Sequence, residues 1–385
     1  MSKQLLINTD AYFENGSFRE LPVFIKNKGY SNPAIIVDEG FAKSDLFKNV
    51  EFKLKKEFDD VFIYICQGSQ EPTYDDLSKV LIEFRNLNLD LLVGIGGGST
   101  MDISKAVGAL LTNKGNPLKY KGFDKLLKPG KPTLLIPTTA GTGSEVSFNA
   151  SFVDYNEKKK MGINGRYMFA TYAMIDGETT LSCPYKASLS AGVDALVHCL
   201  EGFVCKNANP RSDIFAREGI RLIANSILCL KNDPDNINKR LDLLTGAFYG
   251  GIVQMNSGSG VAAALSYPLS VYYKVPHGIG GGMFAVDMIR YNIDGGYLKY
   301  SELASMLDID TIKMTDKEKA EEVYNYFVGL WNDLEVPSNL SEFGINKDQF
   351  NHVIQIMNTQ QPAFDQNPIS FTVKENVESM IKKFF

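Results

Sequence analysis

Four short, unbroken apolar runs in the first 140 residues of the chain are the feature that most limits its fold. They cover residues 34–37, 61–65, 91–95 and 133–136. Unbroken runs of this length are typical of strands buried on both faces, as in a parallel sheet. A helical pattern over residues 73–87 separates the second run from the third. This alternation of strand, helix and strand predicts an α/β fold with crossover connections.

The pattern changes after about residue 184, where helical segments follow one another and strand-like runs become scarce. We therefore predict two domains. Residues 1–182 form an α/β domain with a parallel, Rossmann-like sheet, and residues 183–385 form an all-helical domain.

Composition excludes several classes of function. The net charge is −5, so the chain lacks the basic surface that nucleic acids or anionic membranes require. The N-terminus shows no secretory pattern, and no apolar run reaches the length of a spanning helix. Five scattered cysteines suit reduced thiols rather than a disulfide framework. We expect a cytoplasmic protein.

A glycine-rich segment follows the third apolar run directly. Gly97, Gly98 and Ser99 lie between this predicted strand and a predicted helix. Glycines let backbone N–H groups approach an anion, and a helix N-terminus adds partial positive charge. The segment therefore favours a pyrophosphate site over a plain tight turn. Asp38 ends an earlier strand, where its carboxylate is either a ribose ligand or a helix cap.

A second polar loop, over residues 137–146, follows the fourth run and mixes threonine, glycine and serine. It predicts either a second contact to a cofactor or a turn that caps a helix. Two such loops at successive strand ends of one sheet favour a ligand, since parallel sheets bind ligands at that edge.

Asp194 and His198 lie four residues apart in a predicted helix, so their side chains share one face. This spacing allows both to bind one metal ion, or to form a buried hydrogen-bonded pair. His277 is a third candidate ligand, and the chain has only 3 histidines.

Four motifs together resemble the iron-containing (group III) alcohol dehydrogenase family. They are GGGSxxD at residues 96–102, TTAGTGSEV at 138–146, DALxHxxE at 194–201 and PHG at 276–278. The resemblance implies an N-terminal dinucleotide-binding domain and a C-terminal helical domain that holds metal and substrate. It also implies NAD, with NADP as the alternative, a divalent zinc or iron ion, and a homodimer or larger homo-oligomer. The expected reaction is hydride transfer between an alcohol and an aldehyde or ketone.

The resemblance also implies roles for individual residues. Asp38 falls on the adenosine ribose position. Gly97, Gly98 and Ser99 fall on the pyrophosphate loop, and Asp102 is a further candidate cofactor residue. The second cofactor loop contains Thr138, Thr139 and Thr142, and Lys160 falls on a lysine near the cofactor. The metal ligands correspond to Asp194, His198 and His277.

The chain departs from the family at two positions. A family histidine ligand corresponds to Ala263, and a second family histidine corresponds to Tyr267. Either the three remaining ligands still hold a metal, or the metal is weak or absent. Tyr267 and His277 are the candidate catalytic residues, with Tyr267 as a proton relay or a packing residue.

Three alternatives change the function within the same fold. The segments 119–124 and 265–267 resemble the branch that oxidises the terminal hydroxyl of eight-carbon sugar acids (octulosonate 8-oxidases), with Arg166 and Lys206 as possible carboxylate partners. Ala263 and Tyr267 also suit a cofactor-binding homologue with reduced catalysis. A lyase like the dehydroquinate synthases is disfavoured, because the loop at 138–146 matches the dehydrogenases more closely.

Overall fold

The computed structural model describes residues 4–67, 71–157 and 159–385. By packing, the chain divides into two compact units. The first unit contains residues Ile7–Ser188 and Cys229–Gly251. The second contains residues 4–6, Leu189–Leu228 and Ile252–Phe385.

This division differs from the predicted boundary between residues 182 and 183. The boundary falls six residues later, and residues Cys229–Gly251 belong to the first unit. The reason is a close backbone contact. A Cβ added at Gly143, in the polar loop after the fourth run, would lie 2.6 Å from the Cα atom of Gly251. A helical pattern shows that a segment is helical, but not which unit it packs against.

The first unit is built on a six-stranded sheet whose neighbouring strands are all parallel, in the order β1-β9-β6-β4-β2-β3. This confirms the predicted α/β class. The strands are β1 (Asp10–Phe13), β2 (Pro33–Asp38), β3 (Phe62–Cys66), β4 (Leu91–Gly96), β6 (Thr133–Pro137) and β9 (Tyr172–Ile175).

The four apolar runs form β2, β3, β4 and β6, but one of them is not buried on both faces. Strands β2, β4 and β6 lie inside the sheet and are almost wholly buried. Strand β3 is an edge strand, and its Ile65 side chain is exposed. An apolar run does not tell an edge strand from an inner strand, because both can carry the same pattern of residues.

A second, smaller sheet of the first unit has the order β5-β8-β7. Its strands are β5 (Gly122–Phe123), β7 (Asn149–Asp154) and β8 (Lys159–Asn164). Strands β7 and β8 pair antiparallel, with Phe152 opposite Met161.

The sheet helices of the first unit follow the predicted crossovers. They are α1 (Leu21–Asn27), α2 (Glu39–Ala42), α3 (Asp45–Glu57), α4 (Tyr74–Phe84) and α5 (Gly98–Thr112). Helix α4 begins with a capping box, in which Thr73 and Asp76 exchange side-chain and backbone hydrogen bonds. Its apolar residues at helical spacing are buried.

The later part of the chain is helical, as predicted. Its helices are α6 (Tyr185–Val204), α7 (Pro210–Ala224), α8 (Cys229–Asn232), α9 (Ile237–Asn256), α10 (Val261–Tyr273), α11 (His277–Asp294), α12 (Asp316–Asp333), α13 (Phe350–Met357), α14 (Gln361–Phe364) and α15 (Glu378–Ile381). By length and apolar composition α6 is a candidate membrane span, but 78% of its apolar window is buried, as in a core helix.

Glycines on α11 allow unusually close packing within the second unit. A Cβ added at Gly278 would lie 1.9 Å from the carbonyl oxygen of Ser190 on α6. One added at Gly282 would lie 2.5 Å from a methyl group of Val193. Real side chains do not approach so closely, so the start of α11 rests directly on α6 because it is glycine-rich.

Candidate active site

The glycine-rich segment forms an open helix N-terminus at the carboxyl edge of the large sheet. Strand β4 ends at Gly96, and α5 begins at Gly98 with Gly97 as its N-cap. Gly97 offers no side chain to cap the helix. A glycine-rich helix N-terminus of this kind suits an anion. A Cβ at Gly98 would lie 2.6 Å from Thr142, and one at Gly97 would lie 3.3 Å from Thr139. The two predicted cofactor loops are therefore adjacent.

Asp38 lies at the same edge, at the end of β2. Its carboxylate accepts hydrogen bonds from the Phe41 N–H at 2.9 Å and from the Thr138 hydroxyl at 3.2 Å. Asp38 therefore caps α2, as one of its two predicted roles requires, while its role as a ribose ligand stays a prediction. Burial raises the pKa of the Asp38 carboxyl, against the lowering effect of these donors.

A groove of about 1430 Å³ opens beside this edge. Its lining includes Asp38, Lys43, Glu71, Asp75 and Ser99. Lys160, predicted to lie near the cofactor, forms an ion pair with Glu71 at 2.8 Å. Its partner Glu71 lines the groove, so Lys160 is bonded to a residue of the groove wall.

Asp102, grouped with the cofactor residues by sequence, has both carboxylate oxygens engaged within the protein. One oxygen accepts from the Ser144 hydroxyl at 2.5 Å, and the other accepts from the Ser151 N–H at 2.8 Å. Asp102 therefore ties the loop at residues 137–146, and strand β7 after it, to α5 through these two hydrogen bonds.

Lys105, which sequence reasoning missed, fixes the same loop from the interior. Its ammonium group is buried and donates to the carbonyl oxygens of Ser144, Ser147 and Asn149. Burial lowers the pKa of Lys105, while the nearby Asp102 carboxylate opposes this effect. A lone lysine one turn after Asp102, in an otherwise apolar helix, was the available signal.

The three predicted metal ligands converge within the second unit. Asp194 and His198 lie on α6, and His277 is the first residue of α11. The Asp194 Oδ1 atom lies 3.4 Å from His198 Nε2 and 3.7 Å from His277 Nε2. The three ligand atoms all lie within 4.8 Å of one another. One carboxylate and two imidazoles at this separation suit a borderline divalent ion such as zinc or iron.

The environment of the two histidines differs. His198 is buried, and its Nδ1 atom has no hydrogen-bond partner among the described residues. His277 has its Nδ1 atom 2.6 Å from the Ser266 hydroxyl. The Tyr267 ring stacks on the His277 ring, with centroids 4.6 Å apart and an angle of 19° between the planes. Sequence reasoning singled out Tyr267 but gave Ser266 no role.

Ala263, which the resemblance places at the position of a family histidine, is buried on α10 and supplies no ligand atom. Its N–H group, with those of Gly260 and Ala262, donates to the carboxylate of Glu201 on α6. Glu201 thus caps the start of α10, for which Gly260 has no side chain. This contact explains the glutamate of the DALxHxxE motif in structural terms.

Burial raises the pKa of Glu201 to about 7, against the lowering effect of its N–H donors. The folded protein therefore binds this proton more tightly than the unfolded chain. The resulting stability is present at low pH and is lost as pH rises through about 7. Between pH 5 and pH 8, the free energy of unfolding of the wild type is expected to fall by about 2 kcal/mol more than that of Glu201→Gln, which has no titrating group at this position.

Urea unfolding at several pH values measures this slope. Glu342→Gln, at an exposed carboxylate, is the control and is expected to leave the slope unchanged. Equal slopes in the wild type and in Glu201→Gln would show that Glu201 does not titrate in this range.

The two cations suggested for a sugar-acid pocket, Arg166 and Lys206, contact other groups of the protein. The Arg166 guanidinium lies 4.6 Å from the Tyr167 ring centre, and Lys206 donates to the Asp365 carbonyl oxygen at 2.8 Å. His352, the remaining histidine, contacts the Tyr273 hydroxyl and lies outside the three-ligand group.

Comparison with known proteins gives a consistent family assignment. The sequence profile described as "Iron-containing alcohol dehydrogenase" matches residues 8–177. The profile described as "Fe-containing alcohol dehydrogenase family, C-terminal" matches residues 188–385.

Individual relatives extend over most of the chain. The sulfoacetaldehyde reductase of Bilophila wadsworthia is 29% identical over 335 residues, which cover 86% of each chain. The choline dehydrogenase of Bacillus subtilis is 32% identical over 323 residues, 83% of this chain and 80% of the relative. A crystal structure of a 1,3-propanediol oxidoreductase has the same fold, with a TM-score of 0.91, 23% identity and 100% coverage of both chains.

Proposed function

Because the chain belongs to the iron-containing alcohol dehydrogenase family, we propose that Asp194, His198 and His277 hold the divalent metal of an NAD-dependent alcohol dehydrogenase. The chain is an oxidoreductase that interconverts an alcohol and an aldehyde by hydride transfer. The convergence of these three ligand atoms is the observation that carries the metal assignment. Neither the sugar-acid alternative nor the catalytically reduced one is better supported.

The proposed ligand set suits catalysis even though Ala263 contributes nothing. A bound divalent ion supplies Lewis-acid chemistry, which stabilises negative charge on an alcohol or aldehyde oxygen. Three protein ligands are the usual number at a catalytic zinc, since a further position must remain for water or substrate. The Asp194 carboxylate would neutralise part of the charge of the ion, and the two imidazoles would supply the nitrogen ligands.

NAD is the cofactor, and we assign its binding to the sheet edge of the first unit. The N-terminus of α5 and the glycines before it suit the pyrophosphate. Thr138, Thr139 and Thr142 border the same loop. The buried Asp38 carboxylate at the end of β2 suits ribose hydroxyls.

Tyr267 is proposed to act beside His277 rather than as a metal ligand. Its ring covers one face of the imidazole and thereby limits the orientations open to His277. The same ring carries a hydroxyl, which is the proposed relay for the alcohol proton. Tyr267→Phe separates these roles, because it keeps the ring and removes the hydroxyl.

We further propose a homo-oligomer in the cytoplasm. Cys66, Cys183, Cys199, Cys205 and Cys229 are all free thiols, as a reducing compartment favours. The oligomeric state follows from the family resemblance alone, and light scattering on the purified protein measures it.

Asp38→Asn is expected to shift cofactor preference toward NADP. The substitution keeps a side-chain acceptor for the start of α2, but it removes the charge that repels a 2′-phosphate. We expect the ratio of kcat/KM for NADP to that for NAD to rise by about 10-fold or more, which corresponds to about 1.4 kcal/mol. Steady-state kinetics with both cofactors measure the ratio.

Asp75→Asn, which removes another carboxylate from the groove wall, is the matched control. A ratio that rises equally in both variants would point to the general charge of the groove. An unchanged ratio in Asp38→Asn would overturn the assignment of Asp38 to the ribose.

The experiment that tests the proposed function is an activity panel. The purified protein is assayed with NAD and primary alcohols, and with NADH and aldehydes, before and after chelation and re-addition of zinc or iron. The proposal predicts turnover that chelation removes and metal restores. Turnover that is unaffected by chelation would overturn the metal role.

A further inference from the structure

The hydroxyl of Ser266 lies between a backbone carbonyl and the metal-binding face of the second unit. Its Oγ atom is 2.7 Å from the carbonyl oxygen of Ala263, one turn earlier on α10. The same atom is 2.6 Å from Nδ1 of His277, across the α10–α11 connection. The Ser266 side chain is fully buried, so water does not compete for either contact.

One hydroxyl proton must serve these two neighbours. The Ala263 carbonyl oxygen only accepts, whereas an imidazole nitrogen donates or accepts according to its tautomer. If the hydroxyl donated to His277, the oxygens of Ser266 and Ala263 would face each other at 2.7 Å without a proton between them. The favourable arrangement directs the hydroxyl proton to Ala263, and His277 then donates its Nδ1–H to Ser266.

This arrangement fixes the other nitrogen of the ring. With the proton on Nδ1, the His277 Nε2 atom carries a lone pair, and it is the atom that faces Asp194 at 3.7 Å. Hydrogen bonds to the outer nitrogen of a ligating histidine commonly set its tautomer and orientation. His198 has no such partner among the described residues, so the two histidines are not equivalent.

We propose that Ser266 is a positioning residue that holds His277 as the Nδ1–H tautomer, ready to bind a metal through Nε2. The inference rests on the metal role proposed for Asp194, His198 and His277. It extends that role, because the hydroxyl pre-organises a ligand in a site that lacks the histidine replaced by Ala263.

Packing around Ser266 explains why a small residue occupies this position. A Cβ added at Gly280 of α11 would lie 3.0 Å from the Ser266 Cβ atom. The two helices therefore meet closely here, and the hydroxyl reaches His277 directly. The Tyr267 ring covers a face of the same imidazole, so adjacent residues of α10 fix its plane and its tautomer.

Nitrogen NMR on protein labelled with ¹⁵N-histidine tests this directly, because the chain has only 3 histidines. The metal-free wild type is expected to show His277 protonated on Nδ1, with its signals identified by their loss in His277→Asn. Ser266→Ala is expected to shift His277 toward the Nε2–H tautomer and to weaken zinc binding by about 10- to 100-fold.

Ser257→Ala is the matched control, since it removes another buried hydroxyl bonded to a backbone carbonyl. It is expected to change neither the tautomer nor the zinc affinity. The inference is overturned if His277 of the wild type is protonated on Nε2. It is also overturned if Ser266→Ala changes neither the His277 tautomer nor the zinc affinity. Failure of the wild type to bind zinc would instead contradict the proposed function, while the spectra of the metal-free protein still decide the tautomer.

Discussion

Asp194→Ala is expected to lower kcat/KM with any alcohol substrate by about 10³-fold. Asp194 is the one carboxylate of the three-ligand group and lies within 4 Å of both histidine Nε2 atoms. Its loss leaves two imidazoles, which is fewer ligands than a catalytic zinc normally has. A Lewis acid contributes several kcal/mol to transition-state stabilisation, and about 4 kcal/mol corresponds to this factor. Steady-state kinetics with added zinc or iron measure the loss.

Asp213→Ala is the control for removing a carboxylate from the second unit. Asp213 lies on α7 and pairs with Lys299 at 2.8 Å, away from the ligand group. Its replacement is expected to change kcat/KM by less than about 2-fold. If Asp194→Ala retained wild-type kcat/KM under the same conditions, the metal mechanism would be wrong.

Gly278→Ala is expected to destabilise the protein by about 3 kcal/mol or more. The new methyl group would lie 1.9 Å from the Ser190 carbonyl oxygen and 2.8 Å from the Asp194 Cβ atom. Because the clash is with helix backbone, α11 must move away from α6, and overpacking of this kind costs 1–3 kcal/mol or more. The movement also separates His277 from Asp194, so metal affinity is expected to fall. Urea unfolding and metal titration measure the two effects.

Gly329→Ala is the matched control, because Gly329 is also a helical glycine of the second unit. Apart from the backbone of its own helix, no atom of the described residues lies within 4 Å of a Cβ added there. The alanine is expected to be neutral, or to stabilise by up to about 1 kcal/mol through its higher helix propensity. Equal effects of the two substitutions would contradict the close packing of α11 on α6.

Much of the fold followed from local patterns. Short runs of apolar residues identified β2, β3, β4 and β6, because a run of this kind between helical segments usually forms a strand. Strand β1 escaped detection, since Asp10–Phe13 is short and half-exposed. Its pairing with β9 joins residues more than 150 positions apart, which no local pattern encodes.

The site was predictable only in part, for the same physical reason. Asp194 and His198 share a helix face, so their spacing alone brought them together. His277 was a candidate because the chain has only 3 histidines, and the family resemblance then gave it a ligand role. Its place beside Asp194 depends on the close packing of α11 on α6, which no local pattern encodes. Ser266 contacts His277, 11 residues later, and Lys105 contacts backbone carbonyls about 40 residues later. Ser266 gave no signal, because serine is common on helices, whereas Lys105 gave a weak one as a lone lysine in a largely apolar helix.

The most direct test of the three-ligand site is a metal titration of the wild type beside His198→Ala, with metal content measured by elemental analysis. We expect one zinc or iron ion per wild-type chain and binding that is at least about 10-fold weaker in His198→Ala. Ala263→His is expected to tighten binding, because it adds an imidazole one turn before Tyr267 on the same face of α10. A wild-type protein that binds no metal, yet oxidises alcohols with NAD at the same rate in the presence of a chelator, would contradict the three-ligand metal site.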